Sequence, residues 1–288
     1  MKARAHFSNS AGSALLMALW ALLLLSAVVF AWVKFINANI AIAAEANFGL
    51  QARALAHSGV QVAMNPLVSP ATPALEQTLG NGSYRVTLTG EGGKLNLNWL
   101  LSREDLKRID VLKKYLNLRG LDFQQIETLA DSLRDRVDKD GKRGKLLTLD
   151  EIKQLKGSGA LTSLPGWSDD FTLWSVGPID LQYASPLVLE SLPIFNDALA
   201  KVFLAVRAGP DKKEGTQDDK IFKDMGEVAI TIGFTQKQLT QQIGTLVTLK
   251  DPNWRAVSIG QAANRTRQVE VVFRKGGAQP QIFLWKEF

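Results

Sequence analysis

Ala14–Val33 runs for twenty residues without a charged side chain, reading ALLMALWALLLLSAVVFAWV. At 1.5 Å per residue, a helix of that length spans about 30 Å, the hydrocarbon thickness of a bilayer. The chain does not break after it. Between Lys34 and Asn65 there is no proline and alanine is abundant. Ile36, Ile40, Ala43, Phe48, Ala52, Leu55, Gly59 and Val62 recur every three to five residues, the spacing of one helix face. The pattern predicts a single helix from Ser13 to about Met64, half suited to membrane and half to water, stopped near Pro66.

Three explanations of the apolar run stand side by side on the residues alone. A cleaved secretory signal would use Lys2 and Arg4 as its basic region and cut near Ala41-Ile42-Ala43, but its apolar core is normally only about 7–15 residues. A retained single-pass anchor fits the length, and Lys2 and Arg4 ahead of the run lean toward a cytoplasmic N-terminus. A prepilin-type leader, cut after Gly12 so that Ser13 begins the mature chain, accounts for the helix continuing beyond the membrane. In that reading the fifth mature residue is Met17. Most pilin-like subunits carry Glu there, whose buried charge pairs with a neighbouring subunit's terminal amine. This subunit would lack the pairing carboxylate.

The 288 residues suffice for one large domain or two modest ones, and 46% hydrophobic with 22% charged residues describes a folded protein. The absence of cysteine excludes disulfides, zinc–thiolate sites and thiol catalysis. The net charge of +6 includes Lys2 and Arg4, and the remainder is interspersed with acids, which argues against nucleic acid as a partner. The two histidines, His6 and His57, lie in the leader and first helix, which argues against histidine acid–base chemistry in the folded body. There is no Gly-x-Ser-x-Gly elbow, His–Glu metal helix or P-loop, so an enzyme is not expected.

After the helix the pattern changes twice. Asn81–Asn98 reads as a hairpin, with Tyr84, Val86 and Leu88 alternating, a turn at Gly90–Gly93, and Leu95 and Leu97 alternating again. Helices follow over about 102–118, stopped at Gly120, and from an Asp122 cap to about Val137. Thr148–Lys156, Pro186–Leu192 and Asn196–Ala208 continue the helical block. Strands return at Val228–Ile232, a short helix fits Thr235–Leu246, and three strands over 256–262, 267–274 and 281–286 close the chain. The fold class expected is α+β: a pilin-like long N-terminal helix packed on an antiparallel sheet, with a large α-helical domain inserted between strands. Its parts would be a leader 1–12, a transmembrane half 13–33, a first pilin-like part 34–98, the inserted domain 99–220 and C-terminal strands 221–288. Lys94–Asn98 and Pro178–Gln182, near the two ends of the block, resemble a weak internal repeat.

Two acidic loops suit a hard cation such as Ca²⁺. The first places Asp135, Asp138 and Asp140 at spacings of three and two; the second concentrates Asp211, Glu214, Asp218 and Asp219 around glycine turns. The first does not follow EF-hand spacing, and each has solvated turn as its plain alternative. Ile179–Asp197 has the outline of a DNA-binding helix-hairpin-helix. Its hairpin, Pro193-Ile-Phe-Asn-Asp197, lacks the glycine that lets backbone amides approach phosphate, which favours a packing helix pair.

Five segments taken together resemble the type II secretion system minor pseudopilins of the protein K type of the general secretion pathway. Gly12 before Ser-Ala-Leu-Leu-Met matches that family's leader site, including the missing Glu at mature position five. Gly93-Lys-Leu-Asn-Leu-Asn98 is similar to its Gly-x-Ile-Asn-Leu-Asn segment. Asp131–Asp140 is similar to its Asp-Trp-x-Asp-x-Asp stretch, with Arg136 where Trp is usual. Leu149–Gly157 is similar to its Leu-x-Glu-Leu-x-x-Val-x-Gly segment. Phe171-Thr-Leu-Trp-Ser175 with Ile179–Pro186 gives the most specific match. The resemblance implies a non-enzymatic tip subunit, anchored once in the inner membrane with its C-terminal domain in the periplasm. It implies cleavage by prepilin peptidase between Gly12 and Ser13, and assembly with minor pseudopilins I and J, the major pseudopilin and the inner-membrane platform. It also implies calcium in acidic loops, on Asp135, Asp138 and Asp140, and on Asp211, Asp218 and Asp219. A membrane-anchored helix-hairpin-helix protein binding DNA during uptake is the alternative.

Overall fold

The computed structural model describes residues 10–102, 105–137, 144–276 and 279–288. Helix α1 (Ser10–Met64) is a single helix of 55 residues, about 80 Å long, with no proline inside it. It ends where Asn65 turns back on Val62 and caps the Leu67 amide at the start of the half-buried 67–73 segment. The last third of α1 lies on a five-stranded antiparallel sheet of order β1 (Glu76–Leu79), β2 (Gly82–Gly90), β7 (Asn253–Ala262), β8 (Arg265–Arg274) and β9 (Gln281–Glu287).

Small residues let the helix come close. Ala52, Ala56, Val60 and Ala63 are fully buried along one face of α1. A Cβ on Gly260 of β7 would sit 2.1 Å from the Ala52 carbonyl oxygen, and one on Gly59 would sit 2.4 Å from Ser258 Oγ. The backbone of the helix therefore rests almost directly on the sheet. Tyr84, Val86 and Leu88 from β2 and Val269, Val271 and Phe273 from β8 complete this core.

Between the adjacent strands β2 and β7 the chain makes a long excursion with a second core of its own, running from Leu95 to Val247. It contains β3 (Leu95–Asn96), α2 (Leu97–Leu100), α3 (Leu106–Leu118), α4 (Phe123–Val137), a 3₁₀ turn (Leu149–Gln154) and α5 (Gly159–Thr162). Then come β4 (Phe171–Thr172), β5 (Ile179–Asp180), α6 (Pro186–Ser191), α7 (Asp197–Arg207), α8 (Met225–Thr231), α9 (Gln236–Ile243) and β6 (Val247–Thr248). The α+β class, with helices inserted between strands of a sheet that carries the long helix, is the fold observed. The predicted Asp122 cap forms, and a second cap sits at Thr148. Asp122 and Gln125 exchange reciprocal bonds at the start of α4, and Thr148 and Glu151 form a capping box.

Three local expectations are corrected. Leu95–Leu97 is not the return strand of a hairpin. The hairpin partner of β2 is β1, joined through Gly80-Asn81 with Gly80 at φ +60°, while β3 pairs in parallel with β4. The chain leaves the sheet after Gly90 because Glu91 is drawn into a buried ion pair. Gly92 and Gly93 then lie so close to Asp251 and Tyr183 that a Cβ would fall 2.3 and 2.2 Å from them. Val228–Thr231 lies in helix α8, with Ile232 as its C-terminal cap, and not in a strand. The Asp224 carboxylate accepts from the Gly226 and Glu227 amides, and Val228, Ala229 and Ile232 are buried while Ile230 is 79% exposed, which is helical spacing. The third helix starts at Leu106 on an Asp105 cap, because the Ser102 hydroxyl donates to the Trp99 carbonyl.

Candidate functional site

The bare half of α1 is the largest exposed feature. Leu15, Trp20, Leu22, Leu24, Phe30 and Trp32 are each more than half exposed, and mean hydropathy reaches 2.6 in this part of the helix. By length and composition it is able to cross a membrane, and that much apolar surface demands lipid or protein around it. Gly12 and Ser13 lie in the first turn of α1, where a Cβ on Gly12 would meet nothing, and Met17 is 67% exposed on the same helix.

Where the insertion joins the sheet, polar groups are buried and fully partnered. Glu91 is completely buried and accepts from Arg255 Nε at 2.9 Å, Arg255 Nη2 at 2.7 Å and the Thr172 hydroxyl at 2.5 Å. Arg255 also meets Glu270 on β8. Burial alone would push the Glu91 carboxyl up, but the Arg255 bonds and charge, helped by Lys94, hold it below the usual range. Beside this pair, Asp180 accepts from the Asp251 and Gln182 amides at 2.9 and 3.0 Å. Asp251 accepts from the Val176 and Asn253 amides, and Asn253 joins the Trp174 carbonyl to Arg274. Desolvation dominates at Asp180 and pushes its carboxyl up to about 6.

These contacts explain the motif segments. Asn96 of the Lys94–Asn98 segment caps α2 through the Trp99 amide and donates to the Ser175 carbonyl. Asp180, at the equivalent place in Pro178–Gln182, instead accepts from the Gln182 amide in a turn, and both residues end a two-residue strand that pairs in parallel. Ser185 caps α6 and donates to Asp170, which also accepts from Tyr115. What marks these segments is the joint between two cores. Glu91, Asp251 and Arg255 were not singled out from sequence. The signal available for Glu91 was an acid set among glycines, the mark of close backbone approach.

The acidic loops behave differently from each other. In the first, Asp135 lies exposed in the last turn of α4, and Asp138 and Asp140 lie outside the described residues. In the second, Asp218 accepts from the Asp211 amide and the Thr216 hydroxyl, Asp219 accepts from the Gly215 amide, and Asp211 accepts from the Lys213 amide. Glu214 is spent on Arg207, a buried side chain that also donates to the Leu181 and Ala184 carbonyls. Among the described residues no three acidic or histidine side chains converge as metal ligands. The second loop closes on itself and does not fit a calcium cage.

The hairpin between α6 and α7 is packed inward. Leu192, Ile194 and Phe195 are buried, and the Leu192 and Phe195 carbonyls accept from Lys114 Nζ at 2.7 and 3.0 Å. The buried Ile194 and Phe195 and the missing glycine make this a packing hairpin, which weakens the case for a helix-hairpin-helix DNA site.

No family model matches this chain, and no curated protein matches it. Among solved structures it is similar to a chain in the crystal structure of the GspK-GspI-GspJ complex from the type 2 secretion system of enterotoxigenic Escherichia coli. The TM-score is 0.58 at 12% identity, covering 88% of this chain and 99% of that one. The shared feature is the fold: a pseudopilin-like helix and sheet with added helices.

Proposed function

We propose that this chain is a non-enzymatic minor pseudopilin of the protein K type, placed at the tip of a type II secretion pseudopilus. There it would prime assembly and support export of folded proteins across the outer membrane. The observation that carries this reading is the division of α1: its bare apolar half is free for lipid or a helix bundle, while its last third carries the sheet and, through it, the insertion. The likeness to a chain of a minor pseudopilin complex supports it. Before assembly the helix would span the inner membrane once, with the folded part in the periplasm. Prepilin peptidase would cut between Gly12 and Ser13, and the partners would be minor pseudopilins I and J, the major pseudopilin and the assembly platform.

Two features favour the tip. Met17 supplies no carboxylate for a preceding subunit's amine, and the 91–252 insertion stands on the sheet where a tightly wound shaft would need room. Calcium belongs to this proposal only through Asp135, Asp138 and Asp140. The test is processing and position together. Replacing Gly12 with a bulky residue leaves the precursor uncut, and labelled protein marks one end of isolated filaments. A mature chain beginning near Ala44, or label at regular intervals along the filament, overturns the reading.

A further inference from the structure

Strand β2 is only half covered on its outer edge. β1 pairs with Gly82–Arg85 and stops, so Val86–Gly90 has β7 on one side and no strand on the other. Which backbone groups face the gap follows from the two hairpins. Both have two-residue turns, so Leu79/Gly82 and Ala262/Arg265 are hydrogen-bonded pairs. Counting by twos from either end gives the same result: Thr87 and Thr89 bond to β7, while Val86, Leu88 and Gly90 point their N–H and C=O outward. The Tyr183 ring covers Gly90. Among the described residues no hydrogen bond reaches the outward amides or carbonyls of Val86 and Leu88.

The chain's own preceding segment cannot fill the gap. Pro70 and Pro73 have no N–H, and Ser69–Leu75 is locked in turns by Ser69, Thr72 and Leu75 bonding one another. The result is a cleft of 660 Å³ lined by the open edge, by the 69–73 segment and by Tyr183, Glu214 and Ile221. Ile221 is 73% exposed there, and Glu214 and Asp219 outnumber Arg207 among the charged lining groups.

We infer that this cleft receives an extended segment of a partner minor pseudopilin, which adds as a strand to Val86–Leu88 in the lane that β1 vacates. Main-chain pairing supplies the affinity, an apolar side chain meets Ile221, and the acidic excess favours a neutral or basic segment. The inference rests on the reading that the chain assembles with other minor pseudopilins.

Residue-resolved amide exchange on the full processed chain in detergent tests it, with and without co-purified partner minor pseudopilins of the same system. In the free chain Val86 and Leu88 exchange fast while Thr87 and Thr89 are protected. In the complex Val86 and Leu88 slow at least tenfold, and Ile221→Asp weakens the complex at least tenfold. A complex in which Val86 and Leu88 exchange at the free rate overturns the inference and leaves the function reading intact. Failure of the wild-type chain to form any complex overturns both.

Discussion

Arg255 on β7 holds the buried Glu91 carboxylate through two nitrogens, at 2.9 and 2.7 Å, across the joint between the sheet and the inserted helices. Glu91 lies just where the chain leaves the sheet, so this pair fixes the angle at which the insertion departs. Removing one partner of a buried pair strands the other in low dielectric, at a cost of about 3–5 kcal/mol. Arg255 keeps Glu270, which favours the lower end. Glu91→Gln is expected to lower the unfolding free energy by about 3 kcal/mol in urea titrations at pH 7. A loss under about 1 kcal/mol would show that apolar packing alone holds the joint.

Two carboxylates at this joint respond to pH with opposite sign. Glu91 is held below its ordinary pKa, so its stabilisation is present above that value and fades as the pH falls. Asp180 is raised from 3.8 to about 6, so the folded state keeps a proton that the unfolded chain gives up. Its contribution is therefore greatest below pH 4 and is lost as the pH rises to about 6. At 1.36 kcal/mol per unit this amounts to about 3 kcal/mol. The stability of wild type relative to Asp180→Asn should fall by that order between pH 4 and pH 7 and level off above. A difference that stays flat across this range would show that Asp180 titrates normally.

Gly260 allows α1 to lie on β7 with no side chain between them, and Gly260→Ala would force its Cβ against the Ala52 carbonyl and the Ala56 amide. Backbone atoms cannot rotate away, so overpacking here should cost about 2–3 kcal/mol. Denaturant titration reads the loss. Gly80→Ala is the control for a clash, since no atom lies within 4 Å of its Cβ position and only the φ of +60° is strained. Equal losses at the two positions would mean that the helix has room to lift.

The elements legible in the sequence are those set by local chemistry: the charge-free run at Ala14–Val33, the cap at Asp122, the helix starts near Thr148 and Asn196, and the strands β7 and β8. What was misread depended on distant partners. Val228-Ala-Ile-Thr-Ile232 has β-branched content that favours a strand, yet the Asp224 cap and a second core wound it into a helix. Leu95 and Leu97 alternate as a strand should, but Glu91 had already turned the chain toward Arg255, which lies 164 residues further on. For the site, two of the five segments carrying the resemblance, Gly93–Asn98 and Phe171–Pro186, lie at the joint without revealing its chemistry. Asn96, Asp180 and Ser185 are polar residues whose partners are largely backbone groups brought in by the fold, and a linear pattern does not record those.

Met17 lies exposed on the apolar half of α1, five residues into the processed chain of the proposed pseudopilin. A glutamate there would be costly in the bilayer until paired with a neighbour's terminal amine. Met17→Glu should thus let the subunit enter at internal positions of the filament, read as label away from the end. Label confined to one end in the variant would show that the insertion alone determines placement.

The Asp211–Asp219 loop offers the sharpest division between turn and metal site. Its carboxylates accept from the Asp211, Lys213 and Gly215 amides and from Thr216, and Glu214 is tied to Arg207, so the loop is closed by protein groups alone. Asp218→Asn with Asp219→Asn weakens several of these bonds at an exposed site, worth about 1–2 kcal/mol in total. In a domain of this size that lowers Tm by about 2–8 °C. Because the loss comes from hydrogen bonds to the backbone, it should be the same in millimolar Ca²⁺ and in chelator. A variant that loses a Ca²⁺-dependent rise in Tm seen in wild type would return this loop to the metal sites.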